Sequence, residues 1–199
     1  MMQLERAALG AAVALSVLSI GDAVWRATSE AVAPWDTEGG TTWVVVATNL
    51  LMAVTFALLA AVLVRHARRI DDGSAARRWI RRLLAADLAV LASGFVVVNV
   101  IDPESVGTVA GVTFLAMFAL GAALGAALLR RPDVRLPAAL MVAAIPVIGL
   151  TFALEALAPG WGHPGYAETA LYLGIAMLGL AAAGSGTRTP DRATVGARR

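Results

Sequence analysis

The chain alternates long apolar runs with short charged stretches. Six runs stand out, at residues 7–25, 43–64, 83–101, 106–129, 136–158 and 167–184. At 1.5 Å rise per residue, each approaches the roughly 20 residues that a helix needs to cross the hydrocarbon of a bilayer. The pattern predicts an all-α fold: a polytopic integral membrane protein with a six-transmembrane-helix bundle over residues 1–184. Residues 185–199, GSGTRTPDRATVGARR from Gly184 onward, read as a flexible basic tail with little to pack against.

The punctuation between the runs supports helical hairpins. In DPES, residues 102–105, Asp102 suits an N-cap and Pro103 the first helical position. Pro137 opens the fifth helix in the same way. Pro146 lies inside that helix and is expected to kink it unless neighbours absorb the freed carbonyl. The stretch 27–41 has room for a short surface helix.

Charge gives the bundle a direction. All 16 basic residues are arginine. Seven lie between the second and third runs, in RHARRIDDGSAARRWIRR, and three between the fourth and fifth, in RRPDVR. Four lie in the tail, and Arg6 precedes the first run. With alternating helices, fifteen arginines share one side and only Arg26 takes the other, so the positive-inside rule places both termini in the cytoplasm. The two sides then carry formal charges of about +9 and −7. A basic pI of 9.9 thus reports topology rather than a nucleic-acid partner. Trp25, Trp35, Trp43 and Trp161 fall near outer boundaries and Trp79 near an inner one, as interfacial aromatics do.

The first run does not read as a cleaved signal sequence. MMQLER lacks net positive charge, Pro34 follows the small-residue stretch EAVA, and Asp22, Trp25 and Arg26 intervene. Heavy use of Ala and Arg points to a bacterial genome, and hence to a bacterial plasma membrane.

Composition narrows the chemistry. The chain is 59% hydrophobic and 15% charged, against about 25% charged in average proteins. It has no Cys and no Lys. That removes thiolate nucleophiles, thiolate metal sites, Schiff-base lysines and the phosphate-loop lysine. No G-x-S-x-G, H-E-x-x-H or phosphate-cradling glycine motif occurs. We expect no catalytic set, no cofactor and no metal.

Polar residues inside membrane runs are costly and therefore informative. Ser16, Ser19, Asp22 and Arg26 share one stripe of the first helix. Asp22 and Arg26 are four apart and can pair. Glu155 lies in the last turn of the fifth run, and Glu168 and Tyr172 are four apart on the sixth. The candidate outer-half polar pocket is Asp22, Arg26, Glu155, Glu168 and Tyr172. If these converge, they form an acidic vestibule suited to a cation or an amine-bearing molecule. Asp87 is the inner-half titratable candidate. It reads first as a tether to Arg81, Arg82 or Arg130, and second as a proton carrier. His163 reads as a loop residue, because the other histidine, His66, lies across the membrane. Gly107, Gly111, Gly121 and Gly125 give two G-x-x-x-G spacings that predict a tight helix-packing seam within or between subunits.

These features predict first a non-enzymatic accessory, regulatory or interaction protein. Its partners would be the lipid bilayer and a membrane protein or a second copy of the chain. The alternative is a small transporter with an outward acidic vestibule. A membrane enzyme using Glu155, His163 and Glu168 is the third and weakest reading.

Overall fold

The computed structural model describes residues 3–29, 31–36, 39–99 and 103–184, without the side chains of 103–108 and 110. Among these residues all of the regular secondary structure is helical, with no strand. The elements are α1 (Gln3–Thr28), α2 (Thr42–Arg65), a short α3 (Ala67–Asp71), α4 (Ala75–Val97), α5 (Pro103–Leu128), a 3-10 turn (Pro132–Val134), α6 (Arg135–Leu157) and α7 (Gly165–Gly184).

The six long helices alternate in direction, as cross-links at each end demonstrate. At one end Glu5 of α1 meets Arg65 and His66 at the end of α2. There Arg69 donates to the Ala182 carbonyl near the end of α7. At the other end Asp22 of α1 meets His163, just before α7, and Asn49 of α2 bonds Asn99, just after α4. Successive long helices pack side by side, and α7 closes the ring against α1 while also touching α2 and α5.

Among the described residues five helices are long and apolar enough to cross a membrane: α1, α2, α5, α6 with its leading turn, and α7. The sequence pattern predicted six. The difference is α4, whose first eight residues, AARRWIRR, carry four arginines. It begins at Ala75 rather than 83, and ends at Val97 rather than 101. Ser74 caps it, accepting the Arg77 N–H. Just before it, Asp72 and Gly73 both take positive φ, 46° and 76°, ending α3 in a left-handed turn. The arginine-rich linker is thus helix rather than loop.

The outside of the bundle is apolar. Val17, Leu115, Leu150, Phe152 and Leu157 are all about two-thirds exposed or more. In water such a surface would aggregate; around a bilayer-spanning bundle it is the lipid-facing side. Together these helices make a membrane-embedded protein.

Of the five apolar spans, α7 is the most buried. Small residues let its neighbours approach. A Cβ at Gly174 would stand 2.7 Å from Met141 Cγ and 3.0 Å from the Pro137 carbonyl oxygen of α6. Gly179 is closed over by Val62 of α2. The predicted glycine seam on α5 divides. A Cβ at Gly125 would stand 2.7 Å from the Ala138 carbonyl oxygen, and Gly121 faces Leu171, so these two pack inside the subunit. Gly111 has open space beside it within the subunit. The surroundings of Gly107 lie outside the described residues, as do the Asp102 cap and the 185–199 tail.

Two local expectations also change. Helix α6 runs unbroken through Pro146, and Pro137 lies within its first turn rather than at its start. The described part of 29–41 forms turns, not a surface helix.

Candidate functional site

The polar stripe of α1 faces α7. Its lower member, Ser16, is buried and its Oγ has no hydrogen-bond partner among the described residues. Above it, Ser19 Oγ donates to Glu168 Oε2 at 3.1 Å. Tyr172 Oη donates to the same oxygen at 3.4 Å. Gly165 makes this approach possible: a Cβ there would stand 2.7 Å from the Ser19 carbonyl oxygen. Glu168 is only 7% exposed, so its carboxyl group depends on these two hydroxyls.

One turn further out, Asp22 collects three partners. Oδ1 accepts Trp35 Nε1–H at 2.8 Å, and Arg26 Nε–H lies 3.1 Å from both carboxylate oxygens. Oδ2 lies 3.0 Å from His163 Nε2. Arg26 continues to Asp36, with Nη2 3.1 Å from Oδ2. The rings of Trp25 and Trp35 meet edge to face at 5.9 Å, and Trp25 Nε1–H donates to the Ala31 carbonyl. Trp35 therefore serves as a lid on Asp22 rather than as a free membrane anchor.

His163 lies in the loop before α7 and is also a half-buried member of this cluster. The Gly165 N–H donates to its Nδ1 at 3.1 Å, so Nδ1 must hold the lone pair. Nε2 then carries the proton and donates it to Asp22. Burial pushes the imidazole below its ordinary pKa; nearby Asp22 opposes this and Arg26 adds to it. A second proton would have to sit on Nδ1, facing the Gly165 donor.

This arrangement limits the chemistry. A histidine held by an aspartate at one nitrogen acts as a base through the other. Here the other nitrogen already accepts a backbone N–H. Below Glu168, Tyr172 packs edge to face on Phe56 at 5.5 Å, and Phe56 stacks on Phe95 at 5.7 Å. The polar column ends against this aromatic plug. Among the described residues no three His, Asp or Glu side chains are grouped to hold a metal ion.

Of the five expected outer-pocket residues, four lie along the α1–α7 seam: Asp22, Arg26, Glu168 and Tyr172. Glu155 does something else. Its Oε2 accepts the N–H groups of Gly160 and Gly162, at 3.0 and 2.9 Å, and so fastens the turn between α6 and α7. A cleft of about 350 Å³ exists at the Asp22 end, but Trp25, Arg26, Ser29 and Asp36 help line it. Its wall carries an ion pair, not a set of unpaired carboxylates. The pairing of His163, Trp35 and Asp36 with the α1 stripe was missed. The available signal was that HPG and PWD fall on the same side as Asp22.

The opposite end is also cross-linked. Arg81 forks onto Asp71, with Nε–Oδ1 2.7 Å and Nη2–Oδ2 3.0 Å. Glu5, 1% exposed, pairs with His66 at 2.8 Å and Arg65 at 3.3 Å. Among the described residues no arginine forms an ion pair with Asp87, in contrast to the expected tether. Arg81 is committed to Asp71, Arg82 lies over the Trp79 ring, and Asp87 Oδ2 is buried without a hydrogen-bond partner.

The fold and site thus define an all-helical, membrane-embedded protein with a closed polar seam between its first and last helices. No family profile, no curated protein and no solved structure matches the chain.

Proposed function

We propose that this chain is a non-enzymatic accessory or regulatory protein of the bacterial plasma membrane, crossing it six times with both termini in the cytoplasm. One observation carries the functional part: the outer polar groups are spent on one another. Asp22 is matched by Arg26, His163 and Trp35, Glu155 by loop amides, and Glu168 by Ser19 and Tyr172. Such a network holds helices together and leaves little to act on a solute. The arginine distribution and the antiparallel order of the six long helices support the topology. The arginines of α4 would lie at headgroup level, leaving its apolar remainder to cross.

The absence of Cys makes the topology directly testable. Ala31→Cys should react with an impermeant maleimide on intact cells, and Ala75→Cys only after permeabilisation; the reverse order would refute the orientation. For function, purified protein in liposomes should move neither protons, alkali cations nor small amines above the rate of empty vesicles.

A second reading is a small cation or amine transporter. It is favoured by the buried Glu168 carboxyl group lying directly under Asp22. It requires a flux in the same liposomes that Glu168→Gln or Asp22→Asn abolishes, and that result would displace the accessory reading.

A further inference from the structure

The arginine-bearing end contains a cleft of about 500 Å³ where the end of α2, α3 and the end of α7 meet. Val64, Arg65, His66, Arg68, Arg69 and Ala182 line it. We propose that this cleft binds the phosphate headgroup of an anionic phospholipid in the adjoining leaflet. The proposal rests on the membrane-embedded fold, not on the accessory reading.

Three observations converge. The first is depth. The apolar run of α2 ends at Val64, which is 61% exposed on the lipid-facing side, and Arg65 follows it at once. The mouth of the cleft therefore joins an acyl-chain surface to a cationic one. The second is shape. The five-residue α3 turns the chain back over the bundle, and Arg69 Nη1–H is anchored on the Ala182 carbonyl at 2.7 Å. Arg131 in turn donates to the Arg69 carbonyl, also at 2.7 Å. This wall is thus fixed before a ligand arrives.

The third is charge. The nearby acids face elsewhere: Asp71 is held by Arg81, and Asp72 lies beside Arg77 and Arg131. Among the described residues, three arginines line the cleft against one adjacent carboxylate, Glu5, shared by Arg65 and His66. Arg68 is exposed and forms no ion pair among the described residues. Arginine forks suit phosphate oxygens, and a surplus of positive charge at the membrane surface attracts anionic lipid. A purely topological role needs arginines on the correct side, but it does not need them around a cavity.

The test is lipid titration of the detergent-purified full chain, with bound lipid counted by native mass spectrometry. Dioleoylphosphatidylglycerol, dioleoylphosphatidylcholine and inorganic phosphate are compared. Phosphatidylglycerol should bind at least about fivefold more tightly than phosphatidylcholine, the preference that one arginine near the surface supplies. Arg68→Glu should remove that preference, because Arg68 has no structural partner to lose. Arg135→Glu, an equal charge reversal at the start of α6, should keep it. Equal retention of both lipids, equal loss in both variants, or displacement of the lipid by millimolar inorganic phosphate would each overturn a lipid site at this cleft.

Discussion

Arg81 provides the sharpest separation between an arginine that sets topology and one that holds structure. Its guanidinium is 6% exposed and forks onto Asp71, which is 11% exposed. It also lies 3.5 Å from the Leu63 carbonyl of α2. In Arg81→Met, the Asp71 carboxylate stays buried and keeps only Arg78, at 4.0 Å. Removing one partner of a buried, hydrogen-bonded pair costs about 3–5 kcal/mol. For a chain of this size that corresponds to roughly 6–20 °C in the unfolding midpoint. Arg82→Met is the matched control. Arg82 is exposed, 5.7 Å above the Trp79 ring, a contact of about 0.5–1 kcal/mol. Both variants remove one of seven arginines from the same linker, so any topological effect is shared. The assay is thermal unfolding in a fixed detergent, followed by circular dichroism, for both variants, Asp71→Asn and the Asp71→Asn/Arg81→Met double variant. The double variant should lose less than the sum of the singles, because no unpaired charge remains. Equal midpoints for Arg81→Met and Arg82→Met, or strict additivity, would refute the reasoning.

Further outcomes follow from the same geometry. Gly125→Ala should destabilise the bundle by about 1–3 kcal/mol, since its new methyl meets the Ala138 carbonyl and Met141 Cβ; Gly111→Ala, with open space beside it, should unfold at or above the wild-type temperature. Glu155→Gln keeps an acceptor for the Gly160 and Gly162 amides and should leave proteolysis of the 158–164 turn unchanged, whereas Glu155→Ala should speed it. His163 gives a pH dependence whose sign is fixed. Its folded pKa lies below the unfolded value of about 6.5, so below that pH the unfolded chain binds more protons. The stability from neutral His163 is present above about pH 6.5 and is lost as pH falls. The gap in midpoint between wild type and His163→Gln should therefore narrow on acidification; a gap that widens would contradict the assigned tautomer.

Much of the fold was legible because hydrocarbon is a demanding solvent. A spanning helix must be long, apolar and internally hydrogen-bonded, and those demands are local. The first, second, fourth, fifth and sixth runs lie inside observed helices or within a residue of them. The third failed at its start for the converse reason. Arginines were taken as loop markers, yet α4 accommodates four in its first turns by pairing Arg81 with Asp71 and laying Arg82 on Trp79.

The candidate site was less legible, because it depends on which helices touch. The Ser16–Ser19–Asp22–Arg26 stripe follows from helical spacing alone, and so does the placing of Glu168 and Tyr172 on one face. Neither spacing says that α7 closes the ring on α1, with Gly165 letting Ser19 reach Glu168. Nor does it say that the turn at 158–164 brings His163 onto Asp22. The equivalence of Gly111 and Gly125 in sequence is broken in the same way, since only Gly125 meets α6. Sequence by itself determined the solvent, the helices and the end that bears the arginines, through requirements each segment meets alone. Tertiary structure decided which polar groups meet and which cleft is left cationic, because burial and charge compensation are properties of neighbours.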